Sequence, residues 1–491
     1  MKNLFYEKKF LYTFISCVVC VLPLLFYNLY YNDDYARAVW GYSGWKADGR
    51  PVADIISRIF NFSFYGKPYS LSDTHPLPLL LGLLIFSIST DIFCRQYLKN
   101  KPIFVYIAFS IVVINGFSIE NLAYRFDSLT MLFAMSTAIV SVSALGYNNF
   151  KNYILCSVLS LTLSLNSYQG AINLYFTMSM LGFILLCHDG CDSKKIYFFL
   201  FRIIITALIS LALYMITGYK FVNNSHIESS IGNSGFSLNS VLDKINLYFD
   251  AVKNGFSINE VVVFFPFVLF FLVLIVTMIY SYFKRKKIVI SFALMLYPFL
   301  LFLTVPGVFL IIQHTELSHK AMMSLGGIEL IIVIMCGVIV SKVGWLTYLC
   351  LLPLAMNMVS AYAYYNASYS QKEYTDFYIM KIAGDIDDIS NGDAINNIYI
   401  KGGVPNSPEM NIMSAKHPAL AGMALSLNEY SSWILPSVFK KFGLEYSIFS
   451  FENFSRKKDL CSNAVYKKGI AYVIYKINDN IVVDFDKNLC K

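Results

Sequence analysis

The strongest candidates for chemistry lie in one short polar segment, where Asp33 and Asp34 are adjacent and Arg37 follows within one helical turn. Asn32 or Asp33 could cap a helix that begins here, and residues three or four apart then share one helix face. Such a face could hold an acid or base beside a cation that binds phosphate. A helix cap with a local ion pair is the structural alternative, and spacing alone does not decide between them.

Weaker candidates for binding a phosphate or an acceptor lie between other apolar runs: Arg50, Arg125, Asp127, His314 and Lys320. Arg125 and Asp127 cluster with Glu120, and anchoring at a membrane interface is the alternative for that cluster. Glu329 is the acid deepest within an apolar run, where a carboxylate is costly and often functional. A structural hydrogen bond is an equally good explanation for Glu329.

The sequence predicts no metal and no other cofactor. His75 is distant in sequence from the pair His314 and His319, and no ligand spacing typical of a metal site is present.

The composition indicates which elements must position these residues. The chain has 491 residues, of which 57% are hydrophobic and 14% are charged. A soluble protein carries roughly a quarter of its residues as charges. This deficit excludes an ordinary soluble enzyme, a disordered chain and a nucleic-acid-binding domain, so the solvent for most of the protein is predicted to be lipid. No nucleic-acid partner is expected.

A spanning helix needs about 20 mostly apolar residues. Eleven segments qualify: 10–30, 76–93, 102–117, 127–146, 152–166, 168–187, 196–218, 260–283, 288–306, 322–340 and 344–365. The fifth and sixth segments are separated by only a few polar residues, so they could form a tight hairpin or one re-entrant pair. The prediction is a polytopic α-helical membrane protein.

The distribution of Lys and Arg predicts the orientation, because cytoplasmic loops are enriched in them. With the N-terminus inside, the inner segments hold 14 basic residues in 37 positions, whereas the outer segments hold 10 in 111. The cluster Lys284–Lys287 is the strongest single indication of a cytoplasmic loop. An N-inside chain with eleven spans has its C-terminus outside.

Two regions on the predicted outer side are large enough to build a site. The loop 31–75 contains an amphipathic pattern from Pro51 to Phe60, which predicts a helix lying along the membrane interface. The tail 366–491 has the charge density of a soluble domain, in contrast to the transmembrane region 1–365. We predict a small α/β domain there.

Short runs within the tail predict its elements: strands at 397–401, 446–451, 471–477 and 481–485, and a helix at 416–427. Cys461 and Cys490 are the tail's only cysteines. They form a candidate disulfide in an oxidising outer compartment, and two unrelated thiols are the alternative.

The first outer loop also carries an ordered set of residues: Asp33-Asp34, Gly41-Tyr42-x-x-Trp45 and Gly49-Arg50-Pro51. This pattern, within roughly residues 30–60, resembles the glucosyltransferase II family. Its members are serotype-converting, O-antigen-modifying membrane enzymes, often carried by prophages, of the GT-C class of polyprenyl-phosphate-sugar glycosyltransferases. Chain size, span number and the outer C-terminal domain agree with this GT-C-like architecture.

The resemblance implies that glucose moves from undecaprenyl-phosphate glucose to a sugar hydroxyl of the lipopolysaccharide O-antigen. The site would be on the periplasmic face of the bacterial inner membrane, and a flippase and a glucose-lipid synthase would complete the system. Asp34 or Asp33 would be the general base, with Asp34 slightly favoured. Arg37 and the weaker candidates above would bind the lipid phosphate or other parts of the substrates. The class implies inversion at the anomeric carbon.

Two other functions fit a polytopic chain. A lipid-linked oligosaccharide flippase or transporter should carry several ionisable residues or broken helices at mid-membrane, whereas the predicted spans hold little charge beyond Arg202 and Glu329. An O-antigen polymerase should have its main outer loop between late spans rather than a long outer tail.

Overall fold

A computed structural model describes residues 8–64, 71–98, 102–223, 238–310, 319–340, 344–391, 395, 397–423, 434–454, 461 and 465–490. The fold is mostly helical, with one small sheet near the C-terminus. Among the described residues, seven helices are long and apolar enough to cross a membrane: Leu77–Tyr97, Ser128–Leu145, Ala171–His188, Ser193–Phe221, Ile258–Lys284, His319–Val340 and Leu346–Ser390. Three shorter apolar helices are Phe10–Cys20, Ile103–Val112 and Ile288–Leu303.

The remaining helices are short or amphipathic: Leu22–Phe26, Asp34–Trp40, Pro51–Phe60, Ile119–Ala123, Phe150–Tyr153, Leu159–Ser167, Leu238–Gly255, Pro408–Lys416, Pro418–Ala421 and Leu435–Lys440. A π-helical turn, Ile154–Val158, joins two of them across the predicted span 152–166. The next helix starts at Ala171, so the predicted turn between the fifth and sixth segments is present. The number of crossings and the orientation stay predictions.

The helix predicted over 102–117 is shorter than expected because a polar side chain ends it. Asn115 is fully buried, and its amide donates to the carbonyls of Ile111 at 3.0 Å and Val112 at 3.3 Å. The same side chain accepts from the backbone N–H of Phe117 at 3.0 Å. These bonds satisfy carbonyls that a further helical turn would use, and the backbone turns away from the helix axis.

The helix Leu352–Ser390 connects the apolar bundle to the C-terminal sheet. Its 39 residues correspond to roughly 58 Å at 1.5 Å per residue, nearly twice the thickness of a hydrocarbon core. The helix passes the predicted domain boundary at 365 without interruption, and its last turns pack into the hydrophobic core of the sheet. The boundary itself stays a prediction.

The C-terminal sheet has five strands: β1 Asn397–Lys401, β2 Ser447–Ser450, β3 Val465–Lys468, β4 Val473–Ile477 and β5 Asn480–Asp484. Their order is β2-β1-β5-β4-β3, with β1 parallel to both neighbours and β3, β4 and β5 antiparallel. The four predicted strands are confirmed within two residues, and β3 was not predicted. Cys461 and Cys490 are joined in a disulfide, as predicted.

The predicted helix 416–427 is wrong. The structure has a helix ending at Lys416 and a single turn from Pro418 to Ala421, and residues 424–427 lie outside the described ranges. Pro418 explains the break, because a proline disfavours helical geometry in the residue before it. His417 accordingly has φ −127° and ψ 80°.

Candidate active site

Asp34 anchors the start of the polar segment that follows the first apolar helices. Its side chain is fully buried and accepts three backbone N–H groups: those of Tyr31 at 3.0 Å, Arg125 at 2.8 Å and Phe126 at 3.2 Å. Burial raises the pKa of Asp34 to about 7, while the bonds from Arg125 and Tyr31 lower it. Asp34 therefore joins the helix Asp34–Trp40 to the segment before Ser128, and both of its oxygens are occupied.

Asp33 is the more accessible of the two carboxylates. Its side chain is 30% exposed, and one oxygen lies 3.7 Å from Nη2 of Arg37. Burial raises the pKa of Asp33, and Arg37 and Lys320 counter this by lowering it. The predicted ion pair one helical turn apart is present, but the Asp33 side chain does not cap the helix.

Arg37 is buried and held by other protein groups. Its Nη1 donates to Asp127, and the other oxygen of Asp127 accepts from the indole N–H of Trp45. The guanidinium lies over the Trp45 ring at 4.6 Å and the Tyr42 ring at 5.8 Å. The aromatic rings of this loop segment thus enclose the Arg37–Asp127 pair and exclude water from it.

Arg50 lies at the entrance to the helix Pro51–Phe60 and points to the turn between two apolar helices. Its Nε donates to the Gln169 carbonyl oxygen at 2.9 Å, and its guanidinium lies 4.9 Å from the centre of the Tyr168 ring. Gln169 in turn donates to the hydroxyl of Tyr214 at 2.9 Å. Within the described ranges, no carboxylate lies within 4.0 Å of the Arg50 guanidinium.

Lys320 lies at the start of the span His319–Val340 and faces the same region. Its Nζ donates to the Tyr124 hydroxyl at 2.9 Å, and its backbone N–H donates to Glu120 at 2.6 Å. No carboxylate of the described chain lies within 4.0 Å of Nζ. Lys320, like Arg50, is therefore a cation without an ion pair in that part of the chain. Both cations lie within electrostatic range of Tyr168.

Arg125 is paired with a carboxylate that the sequence did not single out. Its Nε lies 2.7 Å from Asp73, and its guanidinium lies 5.1 Å from the Tyr30 ring centre. His314 lies outside the described residues. Where the chain is described, no group of three His, Cys, Asp or Glu residues lies together in a way that could hold a metal ion.

The predicted site residues therefore fall into two groups, according to whether another protein group already occupies the side chain. Asp33, Arg50 and Lys320 retain capacity for a ligand, whereas Arg37 and Arg125 are each paired with a carboxylate, Asp127 and Asp73 respectively. Sequence reasoning missed the partners of these groups: Asp73, Tyr124, Tyr168 and Gln169. The polar turn that contains Tyr168 and Gln169 could have been noticed, since it interrupts two apolar runs.

The C-terminal domain packs directly against the loop that carries Asp33. Tyr35 is part of the hydrophobic core of the sheet domain. The Trp40 indole N–H donates to the Ser437 hydroxyl at 2.9 Å, and the Lys440 ammonium lies 3.9 Å from the Trp40 ring centre. The domain thus helps to position the helix Asp34–Trp40, which begins directly after Asp33.

Comparison with known proteins identifies the family. The model of the glucosyl transferase GtrII family matches residues 22–335, which is well over half of the chain and includes Asp33, Arg50 and Lys320. The chain belongs to the GtrII family. The family is described as one of glucosyl transferases, and the apolar helices of this chain make it a membrane protein.

A curated relative of this GtrII chain comes from Salmonella phage P22. It is described as an uncharacterized 55.3 kDa protein in the gtrB 5′ region and is 35% identical over 182 residues, which cover 36% of each chain. The match thus spans about a third of the relative's length. A phage relative agrees with the serotype-converting family.

Proposed function

We propose that this GtrII chain transfers glucose from undecaprenyl-phosphate glucose to a hydroxyl of the O-antigen, on the periplasmic face of the bacterial inner membrane. One observation carries the proposal: an accessible carboxylate, Asp33, lies within electrostatic range of Lys320, and Lys320 and Arg50 lie within electrostatic range of the same Tyr168. Neither cation has an ion-pair partner in the described chain. A flippase and a glucose-lipid synthase would supply the donor.

The proposed reaction is a single displacement at the anomeric carbon. The acceptor hydroxyl oxygen attacks this carbon while Asp33 takes the hydroxyl proton. The bond from the anomeric carbon to the phosphate oxygen breaks, and undecaprenyl phosphate leaves with its electron pair. Arg50 and Lys320 stabilise the charge that grows on the phosphate. This displacement gives inversion.

We assign the base to Asp33 rather than to Asp34, which the sequence slightly favoured. A general base must come within hydrogen-bond reach of the proton it removes. Asp34 has no exposed surface and its oxygens accept three N–H groups, whereas 30% of the Asp33 side chain is exposed. Asp34 then acts by positioning Asp33 and the backbone segment before Ser128.

An apolar cavity beside the polar region supports a lipid donor. The cavity has a volume of about 360 Å³ and a lining that is apolar except for Glu329. Phe256 lines it and packs on Phe117 at 5.9 Å between ring centres, and Phe117 stacks on His319 at 5.8 Å. His319 precedes Lys320, so an isoprenoid chain in the cavity would bring its phosphate towards that cation. The Glu329 carboxylate is satisfied by Asn357 at 2.7 Å.

Removing either cation is expected to weaken donor binding. A hydrogen bond to a charged group contributes about 1.5–3 kcal/mol, so K320Q and R50Q should each raise the KM for the donor by about 10- to 100-fold. Steady-state transfer in proteoliposomes measures this. K253Q, which removes an exposed outer-helix charge, is the matched control and should leave KM unchanged. A donor KM unaffected in both K320Q and R50Q would remove the phosphate assignment.

Filling the apolar cavity is expected to discriminate against long-chain donors. V268W should place a large ring in the space for the lipid, whereas V276W, on the exposed side of the same helix, should not. We expect V268W to raise the KM for undecaprenyl-phosphate glucose at least tenfold and to affect a two-isoprene analogue much less. Equal effects on both donors, or equal effects of V268W and V276W, would contradict chain binding in this cavity.

The pH profile should report Asp33. Asp33 can act as a base only while its carboxylate is deprotonated, and acidification protonates it. Because burial raises the pKa of Asp33, activity should decline at a higher pH than it would with a solvent-exposed aspartate as the base. Lys320 lowers this pKa, so K320Q should move the acidic limb of the profile to still higher pH. An acidic limb that does not move in K320Q would show that another group controls it.

A further inference from the structure

A second cavity lies at the end of the helix bundle opposite the candidate active site. It has a volume of about 280 Å³, and its lining includes Gln96, Tyr147, Lys195, Phe198 and Arg202. It forms where the helices Leu77–Tyr97 and Ser128–Leu145 end and the helix Ser193–Thr217 begins. We call it the Arg202 cavity.

The distance between the two sites can be read along Ser193–Thr217, the α-helical part of the span Ser193–Phe221. Near its C-terminal end, Tyr214 accepts from Gln169, which also binds Arg50. Arg202 precedes Tyr214 by 12 residues and Lys195 precedes it by 19. At 1.5 Å per residue these steps are roughly 18 Å and 28 Å. The mouth of the Arg202 cavity is thus about one hydrocarbon thickness from the active site, at the other surface of the membrane.

Arg202 is a buried cation whose hydrogen bonding is incomplete. Its residue is 6% exposed, and Nη1 donates to the carbonyls of Leu145 and Tyr147, each at 2.7 Å. The rings of Tyr153 and Phe198 lie 4.3 Å from its guanidinium carbon. Its Nε is buried and has no hydrogen-bond partner. No carboxylate in the described part of the chain lies within 4.0 Å of the guanidinium, so only the partial negative charge of these two carbonyls at a helix end offsets its charge there.

The surroundings of the cavity favour an anion. None of the residues that line it is acidic, and Lys195 supplies a second cation at its mouth. An uncompensated buried charge is costly, and a phosphate would supply both the counter-charge and an acceptor for Nε, since guanidinium groups bind phosphate in a bidentate manner. The exposed rings of Phe198 and Phe201 lie on the same helix, 50% and 59% exposed, and acyl chains would cover them.

We propose that the Arg202 cavity binds the phosphate headgroup of an anionic phospholipid. Arg202 binds the phosphate from within, Lys195 contacts it from the mouth, and the exposed phenylalanines contact the acyl chains. Basic groups at a membrane surface attract such lipids. The site is separate from the glucosyl transfer site and does not depend on the proposed reaction.

The test is lipid binding to the purified full-length protein in detergent, measured by native mass spectrometry. Phosphatidylglycerol, phosphatidylcholine, undecaprenyl phosphate and inorganic phosphate are compared as probes. We expect phosphatidylglycerol to bind at least tenfold more tightly than phosphatidylcholine, with R202Q weakening it about tenfold and K195Q about threefold. K194Q, which alters an exposed neighbour that does not line the cavity, should have no effect.

Three results would overturn the proposal. Equal binding of phosphatidylglycerol and phosphatidylcholine would remove the headgroup preference. Arg202-dependent binding that is tighter for inorganic phosphate or undecaprenyl phosphate would assign the cavity to another ligand. R202Q could fail to fold, so K195Q provides the second test, because Lys195 is exposed and its replacement should not disturb the fold. If K195Q and K194Q bound phosphatidylglycerol with equal affinity, the site would be contradicted.

Discussion

Replacing Asp33 by Asn is expected to lower the rate of glucosyl transfer by about 10²–10⁴-fold, the usual contribution of a general base. The variant should fold, because the Asp33 side chain is partly exposed and its contact with Arg37 is 3.7 Å long. The asparagine has nearly the same shape but cannot accept the acceptor's proton. The change should appear in kcat, with the KM for the donor nearly unchanged, in transfer assays with matched protein amounts.

The matched control is Asp34→Asn, which should produce the opposite pattern. An asparagine can accept with one oxygen only, so its amide group would face a backbone N–H that Asp34 now accepts. Such mismatches cost about 1–3 kcal/mol of stability, and the thermal midpoint and membrane level should decline. The folded fraction should retain much of its activity. A fully active D33N together with a folded but inactive D34N would reverse the assignment of the base.

The second large effect concerns the buried Arg37–Asp127 pair. Both side chains are 5% exposed, and Asp127 also accepts from Trp45. Removing one partner of a buried pair leaves an uncompensated charge and costs about 3–5 kcal/mol. Asp127→Asn is therefore expected to lower the free energy of unfolding by about this amount, with a matching decrease in thermal midpoint and membrane level. Asp33, which lies 3.7 Å from Arg37 and is 30% exposed, is expected to offset only part of the lost charge.

Thermal unfolding in detergent measures this effect, and Asp376→Asn is its control. Asp376 pairs with Lys372 at 2.7 Å on the long helix Leu352–Ser390, where both side chains are about one-fifth exposed. This pair is more solvated than the buried Arg37–Asp127 pair, and ion pairs at the surface contribute about 0–1 kcal/mol, so D376N should unfold much closer to the native midpoint than D127N. If D127N were as stable as D376N, Asp33 alone would suffice as the counter-charge of Arg37, and the Arg37–Asp127 pair would not organise the loop.

The helices and strands were the predictable part of this fold, for a physical reason. Lipid-facing helices need long apolar runs, and half-buried strands need alternation, so both leave local patterns in the sequence. The helix Leu238–Gly255 was not predicted because its polar residues obscure a short apolar face. The shortened helix before Asn115 could not be predicted either, since it depends on where one buried amide finds its partners.

The site was predictable only at short range. The contact of Asp33 with Arg37 follows from helical spacing and is present. The different surroundings of Asp33 and Asp34 could not be inferred, because two of the N–H groups that occupy Asp34 come from Arg125 and Phe126, more than 90 residues away. The same applies to Arg125, whose pairing with Asp73 depends on tertiary packing.

The most direct test of the central claim is the fate of labelled glucose in liposomes that contain only the purified protein. Undecaprenyl-phosphate [¹⁴C]glucose and lipopolysaccharide bearing O-antigen are supplied without a nucleotide sugar. The proposal predicts that label moves to the lipopolysaccharide with release of undecaprenyl phosphate, and that D33N blocks this transfer. Label that stays on the polyprenyl lipid with the native, folded protein, or that reaches lipopolysaccharide only from a nucleotide-activated glucose, would contradict it.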